Sequence, residues 1–228
     1  MNKQTFLENV IIITGASSGI GRHLALRLAE QSQCKNLIDH TVAEYGRIDT
    51  LINNAGFGIA SRFDALNDLT LFEQIIQVNF FGSVFCTHYA LPYLKETRGR
   101  LVGISSLRGK FPSATADGYG ASKHAMAEFF SSLRIELAES GVNVTIIYPG
   151  WVSTGISSRA IKADGIPTGE ISMHEKGAMS VETCSRLIIE AVAKRKREVI
   201  MTLKGKIGLW LVLIAPKLFD QIIRKKTE

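Results

Sequence analysis

Tyr119 and Lys123 stand four residues apart in Tyr119-Gly120-Ala121-Ser122-Lys123, with Ser106 thirteen residues upstream. At that spacing a phenol and an ammonium share one face of a helix. A free phenol titrates near ~10, too high for proton exchange at neutral pH. A fixed ammonium beside it favours the phenolate and lowers that value. Lowering it by ~3 units takes roughly 4 kcal/mol of preferential stabilisation, of which a lysine one turn away supplies part. A serine hydroxyl can hydrogen-bond a substrate oxygen while the phenol gives or takes its proton. The set suits acid–base chemistry at an alcohol or a carbonyl. Taken alone, the spacing has a plainer reading, a surface lysine beside a half-buried tyrosine.

Two further segments decide between these readings. Val10-Ile11-Ile12-Ile13 is a short β-branched run, as expected of a strand buried on both faces. It leads into Thr14-Gly15-Ala16-Ser17-Ser18-Gly19-Ile20-Gly21, and a helix with Leu24, Ala25 and Leu28 on one side follows. Strand, glycine-rich turn and helix form a dinucleotide-binding arrangement. The glycines allow close backbone approach, and the helix N-terminus faces a pyrophosphate. Leu51-Ile52-Asn53-Asn54-Ala55-Gly56 is a second buried strand ending in a polar glycine turn.

With these motifs in order, the chain resembles the short-chain dehydrogenase/reductase family. The likeness rests on TGASSGIG (Thr14 to Gly21), NNAG (Asn53 to Gly56), Asn79 in Val78-Asn79-Phe80, ISS (Ile104 to Ser106), YGASK, and Pro149-Gly150 with Thr154 beyond. It implies an α/β fold with a Rossmann-type doubly wound parallel sheet. It also implies an oxidoreductase that moves a hydride between NAD or NADP and an alcohol/carbonyl pair. Tyr119 would be the general acid/base. Lys123 would lower its pKa and hold the nicotinamide ribose, Ser106 would orient the substrate oxygen, and Asn79 would position a water. Gly15, Ser17, Ser18, Gly19, Ile20 and Gly21 would line the pyrophosphate. Asn53, Ala55 and Gly56 would line the adenosine side, and Pro149, Gly150 and Thr154 the nicotinamide. Ser105 competes with Ser106 for its role. A helix-interior Asn79 bonded to a backbone carbonyl and a Thr154 helix cap are the structural alternatives. The family's dimers imply a homodimer or homotetramer through helices at Leu71 to Lys95 and Tyr119 to Ser140.

The likeness breaks between Gly21 and Asn53. Only two helical patterns intervene, Arg22 to Gln31 and about Cys34 to Tyr45, so the second and third strands are lacking between Gln31 and Cys34. A helix of ~12 residues is ~18 Å long. Returning over that length takes at least ~5 to 6 extended residues, which Ser32 and Gln33 do not provide. The expectation is a gap in the chain there, with flanking residues much farther apart than a peptide link. The alternative is a continuous chain with Val10–Thr14 at a sheet edge. The acidic residue that usually binds the adenosine ribose would follow the absent second strand. Ser18 carries no positive charge for a 2′-phosphate, so NAD and NADP both remain open. A truncated, non-catalytic relative that binds a partner or a membrane is the second functional reading.

At 228 residues and 46% apolar content, one domain with a sizeable core is expected. Cys34, Cys86 and Cys184 have no metal-ligand spacing, so no metal is expected. Their odd number, with no signal peptide before the first strand, predicts reduced thiols and a cytoplasmic protein. The net charge of +6 is concentrated in residues 194–228, which hold ten Lys/Arg against three Asp/Glu. We divide the chain into a catalytic domain, 1–203, and a basic amphipathic tail, 204–228. In the tail, basic clusters flank an apolar stretch, Ile207 to Ala215, that contains Trp210. The stretch is about half of the ~20 residues that span a bilayer. Two readings stand level: peripheral contact with an anionic membrane surface, or packing in an interface. Nucleic acid is not an expected partner. Phe57, Phe63, Phe111, Trp151 and Ile156 suggest a small apolar alcohol or ketone as substrate. Arg62, Arg108 and Lys110 read as loop charges near the cleft, and His23, His88 and His124 as structural or surface residues.

Overall fold

The computed structural model describes residues 6–15, 31–115, 117–170, 172 and 177–225. Five strands form one parallel sheet in the order β1 (Ile11–Ile13), β2 (Thr50–Asn53), β3 (Arg100–Ile104), β4 (Asn143–Tyr148) and β5 (Glu198–Ile200). Helices α1 (Gln31–Tyr45), α2 (Thr70–Ile76), α3 (Gly82–Glu96) and α4 (Asp117–Glu136) connect the first four strands. A π-helical turn, Gln77–Phe81, joins α2 to α3. Helix α5 (Val181–Ala193) precedes β5, and α6 (Leu203–Ile214) and α7 (Pro216–Lys225) follow it.

Successive strand residues face opposite sides of the sheet. On one side Ile12, Leu51, Leu101, Val144 and Ile146 meet Cys34 and Ile38 of α1, Ala90 and Leu94 of α3, and Met126 and Phe130 of α4. On the other, Val102 and Ile147 meet Ala191 and Val192 of α5. β2, β3 and β4 are covered on both faces, which is what their continuous apolar runs require.

Two expectations fail at β1. Helix α1 runs without interruption from Gln31 to Tyr45, so Ser32 and Gln33 lie inside its first turn and the chain has no gap there. Second, β1 is not buried on both faces: Ile12 is buried, but Ile11 and Ile13 are 40% and 49% exposed. The physical reason is the missing pair of strands. Among the described residues no strand lies between β1 and β2 or beyond β1, so β1 is the sheet edge. The predicted first helix falls almost wholly outside the described residues.

Polar contacts secure this three-residue edge at both ends. Val10 N donates to Asp49 Oδ2 at 2.9 Å, and Arg47 holds the same carboxylate. At the other end Thr14 Oγ1 accepts from the backbone N–H groups of Asn54 and Ala55, both at 3.0 Å. The expected outcome for Ile11→Lys is a stability change within about 0.5 kcal/mol and slower aggregation, since it charges an exposed edge. Ile12→Lys is expected to unfold the domain, because it buries a charge. Chemical denaturation with light scattering checks both.

Candidate active site

Thr14, Asn53, Ser105 and Pro149 follow or end β1 to β4, so the residues of interest collect at the carboxyl edge of the sheet. Open parallel sheets bind ligands there. Gly15 begins the glycine turn at φ +66°, and a Cβ on it would lie 2.6 Å from Ala55 Cα. The position therefore needs glycine for its conformation and for its contact. Ser17, Ser18, Gly19, Ile20 and Gly21 lie outside the described residues.

Lys123 is buried, one helical turn beyond Tyr119 on α4. Its Nζ donates to Ile104 O at 2.9 Å and stands 5.9 Å from the centre of the Tyr119 ring. Burial lowers the Lys123 pKa to about 8. Tyr119 is half-buried, and its pKa lies above the usual phenol value. Burial is the main cause; the Ser106 hydroxyl and the charge of Arg108 act against it, so the lowering expected from Lys123 does not prevail. A neutral phenol is thus the form held at neutral pH.

The two serines after β3 have separate partners. Ser105 is buried and its Oγ donates to Lys123 O at 3.0 Å, fastening β3 to α4. Ser106 is extended backbone, and its Oγ accepts from Arg108 N at 3.2 Å. Of the two, Ser106 is the one whose hydroxyl favours the Tyr119 phenolate.

Asn79 sits in the π turn, a local widening that recurs at functional sites. Its Nδ2 donates to Phe57 O and to Ser122 Oγ, each at 3.0 Å, and its Oδ1 accepts from Phe57 N at 3.0 Å. Ser122 Oγ in turn donates to Tyr119 O at 2.8 Å. Asn79 thus clasps the backbone just beyond Gly56 and joins it to α4. A Cβ on Gly56 would lie 2.9 Å from Asn79 Oδ1 and 3.4 Å from Lys123 Nζ, so a side chain there would fill the space before the ammonium.

The remaining positions are more dispersed. Asn53 is buried and donates to Thr87 Oγ1 at 3.1 Å. Pro149 O accepts from Leu107 N at 3.1 Å, and Gly150 lies against Thr202. Thr154 is exposed in a bend and starts no α-helix. Arg62 pairs with Asp64, and Lys110 with Glu198. Arg108 lies 5.8 Å from the Trp151 ring centre and acts on Tyr119. Of the five apolar residues that suggest the substrate class, Phe57 is in the core, Phe63 packs on Phe72, and Phe111 on Phe219. A cleft of about 580 Å³ is walled by Arg62, Pro112, Ala114 and α7, not by Tyr119. Sequence reasoning missed Ser122 and the Thr14 hydroxyl. Both lie inside recognised motifs, but only the three-dimensional contacts give them roles.

The chain matches the short chain dehydrogenase family model over residues 28–164. It belongs to the short-chain dehydrogenase/reductase family. It is 30% identical to 11-beta-hydroxysteroid dehydrogenase 1A of Arabidopsis thaliana, over 94% of this chain and 75% of the relative. It is 29% identical to the mouse (Mus musculus) dehydrogenase/reductase SDR family member 7B, over 100% of this chain and 84% of the relative. The mouse alignment spans 274 positions, more than the 228 residues of this chain. That relative therefore carries residues inside the aligned span that are lacking here. A Streptomyces avermitilis short-chain dehydrogenase structure superposes with a TM-score of 0.75 at 20% identity, covering 96% of this chain and 88% of that one. A Burkholderia cenocepacia short-chain dehydrogenase solved in complex with NADP gives a TM-score of 0.68 at 20% identity, covering 86% and 75%. Family and fold support an oxidoreductase with a nicotinamide cofactor.

The residues fit the ribose–nicotinamide end of such a cofactor. Gly15 and Gly56 keep the backbone edge clear, and Tyr119 and Lys123 stand beside Gly56 and Gly58. Toward the adenosine side the described residues offer Asn53, Ala55 and Gly56 on the β2 side, with no strand on the outer side of β1. The buried ammonium also has a signature in stability. The folded pKa of Lys123 is depressed from 10.5 to about 8, so the unfolded chain binds the extra proton between those values. Its contribution to stability therefore rises as pH rises from about 8 to 10.5. Lys123→Met is expected to lack this increment, roughly 3 kcal/mol at most. Denaturant unfolding of both proteins at pH 7.5 and at about pH 10 measures it as a difference of differences.

Proposed function

We propose that the protein is an NAD(P)-dependent oxidoreductase that interconverts an alcohol and its carbonyl, with Tyr119 as general acid/base. The observation that carries this reading is the buried Lys123, one helical turn beyond Tyr119, with its Nζ 5.9 Å from the centre of the Tyr119 ring. Ser106 donates to the substrate oxygen and orients it toward the phenol. The neutral Tyr119 phenol gives its proton to a carbonyl oxygen during reduction, and in the oxidative direction its phenolate takes the proton of the alcohol. Arg108 favours the phenolate that forms, and the Lys123 ammonium, 5.9 Å from the ring centre, adds a second positive charge near it. A nicotinamide cofactor, when bound, supplies or accepts the hydride. Lys123, Tyr119, Gly15, Ala55 and Gly56 would hold it, with Pro149, Gly150 and Thr154 toward the nicotinamide.

The substrate class we propose is a small apolar alcohol or ketone. The hydroxysteroid dehydrogenase names among the relatives support this reading. The missing strands next to β1 favour a second reading, a non-catalytic relative. Turnover separates the two.

Tyr119→Phe is expected to abolish reduction of an apolar ketone panel, followed by nicotinamide absorbance, while cofactor affinity stays within a factor of about two. Retention of more than about a tenth of wild-type kcat excludes Tyr119 as the acid/base. Ser106→Ala is expected to lower kcat more than Ser105→Ala, whose loss falls mainly on stability.

The oligomer we propose is a two-fold dimer through α3 and α4. Phe81 of the π turn, 40% exposed, stacks on the half-buried Phe85, and Phe80 meets Phe129 edge-on, so one aromatic cluster links the π turn, α3 and α4 and reaches the surface at Phe81. Sedimentation is expected to show a dimer at micromolar concentration, and Phe81→Glu to shift it toward monomer.

A further inference from the structure

The chain after β5 folds into two helices that face two ways. The inner side packs on the loop that begins at Ser106. Gly205 lies so close to Leu107 that a Cβ would come within 2.6 Å of Leu107 Cδ2. The buried Phe219 of α7 meets the Phe111 ring edge-on at 5.3 Å. Thr202 caps α6 through Gly205 N at 3.0 Å, and Ala215-Pro216 ends that helix and begins the next.

The outer side is apolar and exposed. Leu203, Ile207, Trp210 and Ile214 recur at helical spacing along α6 and are 73%, 58%, 66% and 76% exposed. Leu218 and Ile222 continue the surface on α7. An ordinary packed helix turns this stripe inward. Here α6 turns Gly205 toward the protein, half-buries Leu209, Leu211 and Val212, and leaves Leu203, Ile207, Trp210, Leu213 and Ile214 outside.

The charges around the stripe say what covers it. Between Leu203 and Lys225 there are five basic residues and one acid, Asp220. Lys204 and Lys206 stand at the start of the stripe, and Lys217 and Lys225 beyond its end, all exposed. A second copy would bring the same positive charges against these. A surface of anionic headgroups over apolar chains complements both features, with Trp210 at the boundary between them. The helix is 12 residues long, and no helix of the described residues is long and apolar enough to cross a membrane.

We propose that the outward face of α6 and α7 docks in the plane of an anionic membrane surface. Leu203, Ile207, Trp210 and Ile214 enter the headgroup–acyl boundary while the flanking lysines pair with lipid phosphates or carboxylates. The inner face then holds the Ser106–Phe111 loop close to the lipid. Docking does not depend on the proposed enzymatic activity.

Flotation of the full chain with phosphatidylcholine vesicles, with and without phosphatidylserine, tests this. Binding is expected only to the anionic vesicles and is expected to fall as salt rises. The double variant Lys204→Glu/Lys206→Glu is expected to bind at least about tenfold more weakly. Ile207→Ser/Trp210→Ser is expected to lose binding, with an unchanged melting temperature certifying the fold. In a Trp151→Phe background, Trp210 emission is expected to shift to the blue on adding anionic vesicles. Absence of binding, equal binding to both vesicle types, or wild-type binding by either double variant overturns the proposal. Dissociation of a dimer by Ile207→Ser/Trp210→Ser without change in vesicle binding assigns the face to a second copy.

Discussion

The site depends on one buried charge. Lys123 carries its ammonium into the core, where its oxygen partner is Ile104 O at the end of β3. A buried cation persists only where its surroundings fix a partner for it. Here the surroundings are fixed from two other directions. Ser105 bonds the Lys123 carbonyl, and Asn79 bonds Ser122 on the same helix. The same three contacts join α4, β3 and the π turn, and they set where Tyr119 and Ser106 stand. The burial that lowers the lysine pKa also raises that of the tyrosine. Both charged forms are disfavoured together, so any group that stabilises one changes the balance of the other.

A different constraint acts at the sheet edge. β2 to β5 keep neighbours on both sides or cover on both faces, whereas β1 has one neighbour and two exposed isoleucines. Its position is set by Asp49, by Thr14 and by a three-residue ladder. The carboxyl-edge geometry around Gly15 and Ala55 survives because those contacts lie on the β2 side of the strand. The lost strands would have lain on the other side. Shortening therefore leaves Tyr119, Lys123 and Ser106 in place and removes the framework that would flank an adenosine.

Much of this was legible in the residues themselves. The apolar runs of β2 to β4 and the four-residue spacing of Tyr119 and Lys123 report local geometry directly, because helix and strand periods fix which side chains share a face. The need for glycine at position 15 could be read from its motif, though the contact with Ala55 that enforces it could not. Three features had no local signal. Four consecutive aliphatic residues in β1 look the same whether or not a strand lies alongside. Ser122 is one small polar residue in a helix, and only Asn79 across the fold gives it a task. Arg108 reads as a loop charge until the loop folds back over Trp151 and within electrostatic reach of Tyr119. In the tail, composition shows basic ends around an apolar middle, but which face of the helix points outward depends on Leu107 and Phe111, far away in sequence.

The central claim is that this shortened chain still holds a nicotinamide cofactor against Lys123 and Tyr119. Titration of the intact protein with NADH and with NADPH, read by nucleotide fluorescence, tests it most directly. The expected result is saturable binding of at least one of them, weakened about tenfold or more in Lys123→Met, since a charged hydrogen bond is worth roughly 1.5–3 kcal/mol. Absence of saturable binding of either nucleotide to the folded protein, or equal affinity of wild type and Lys123→Met, would contradict it.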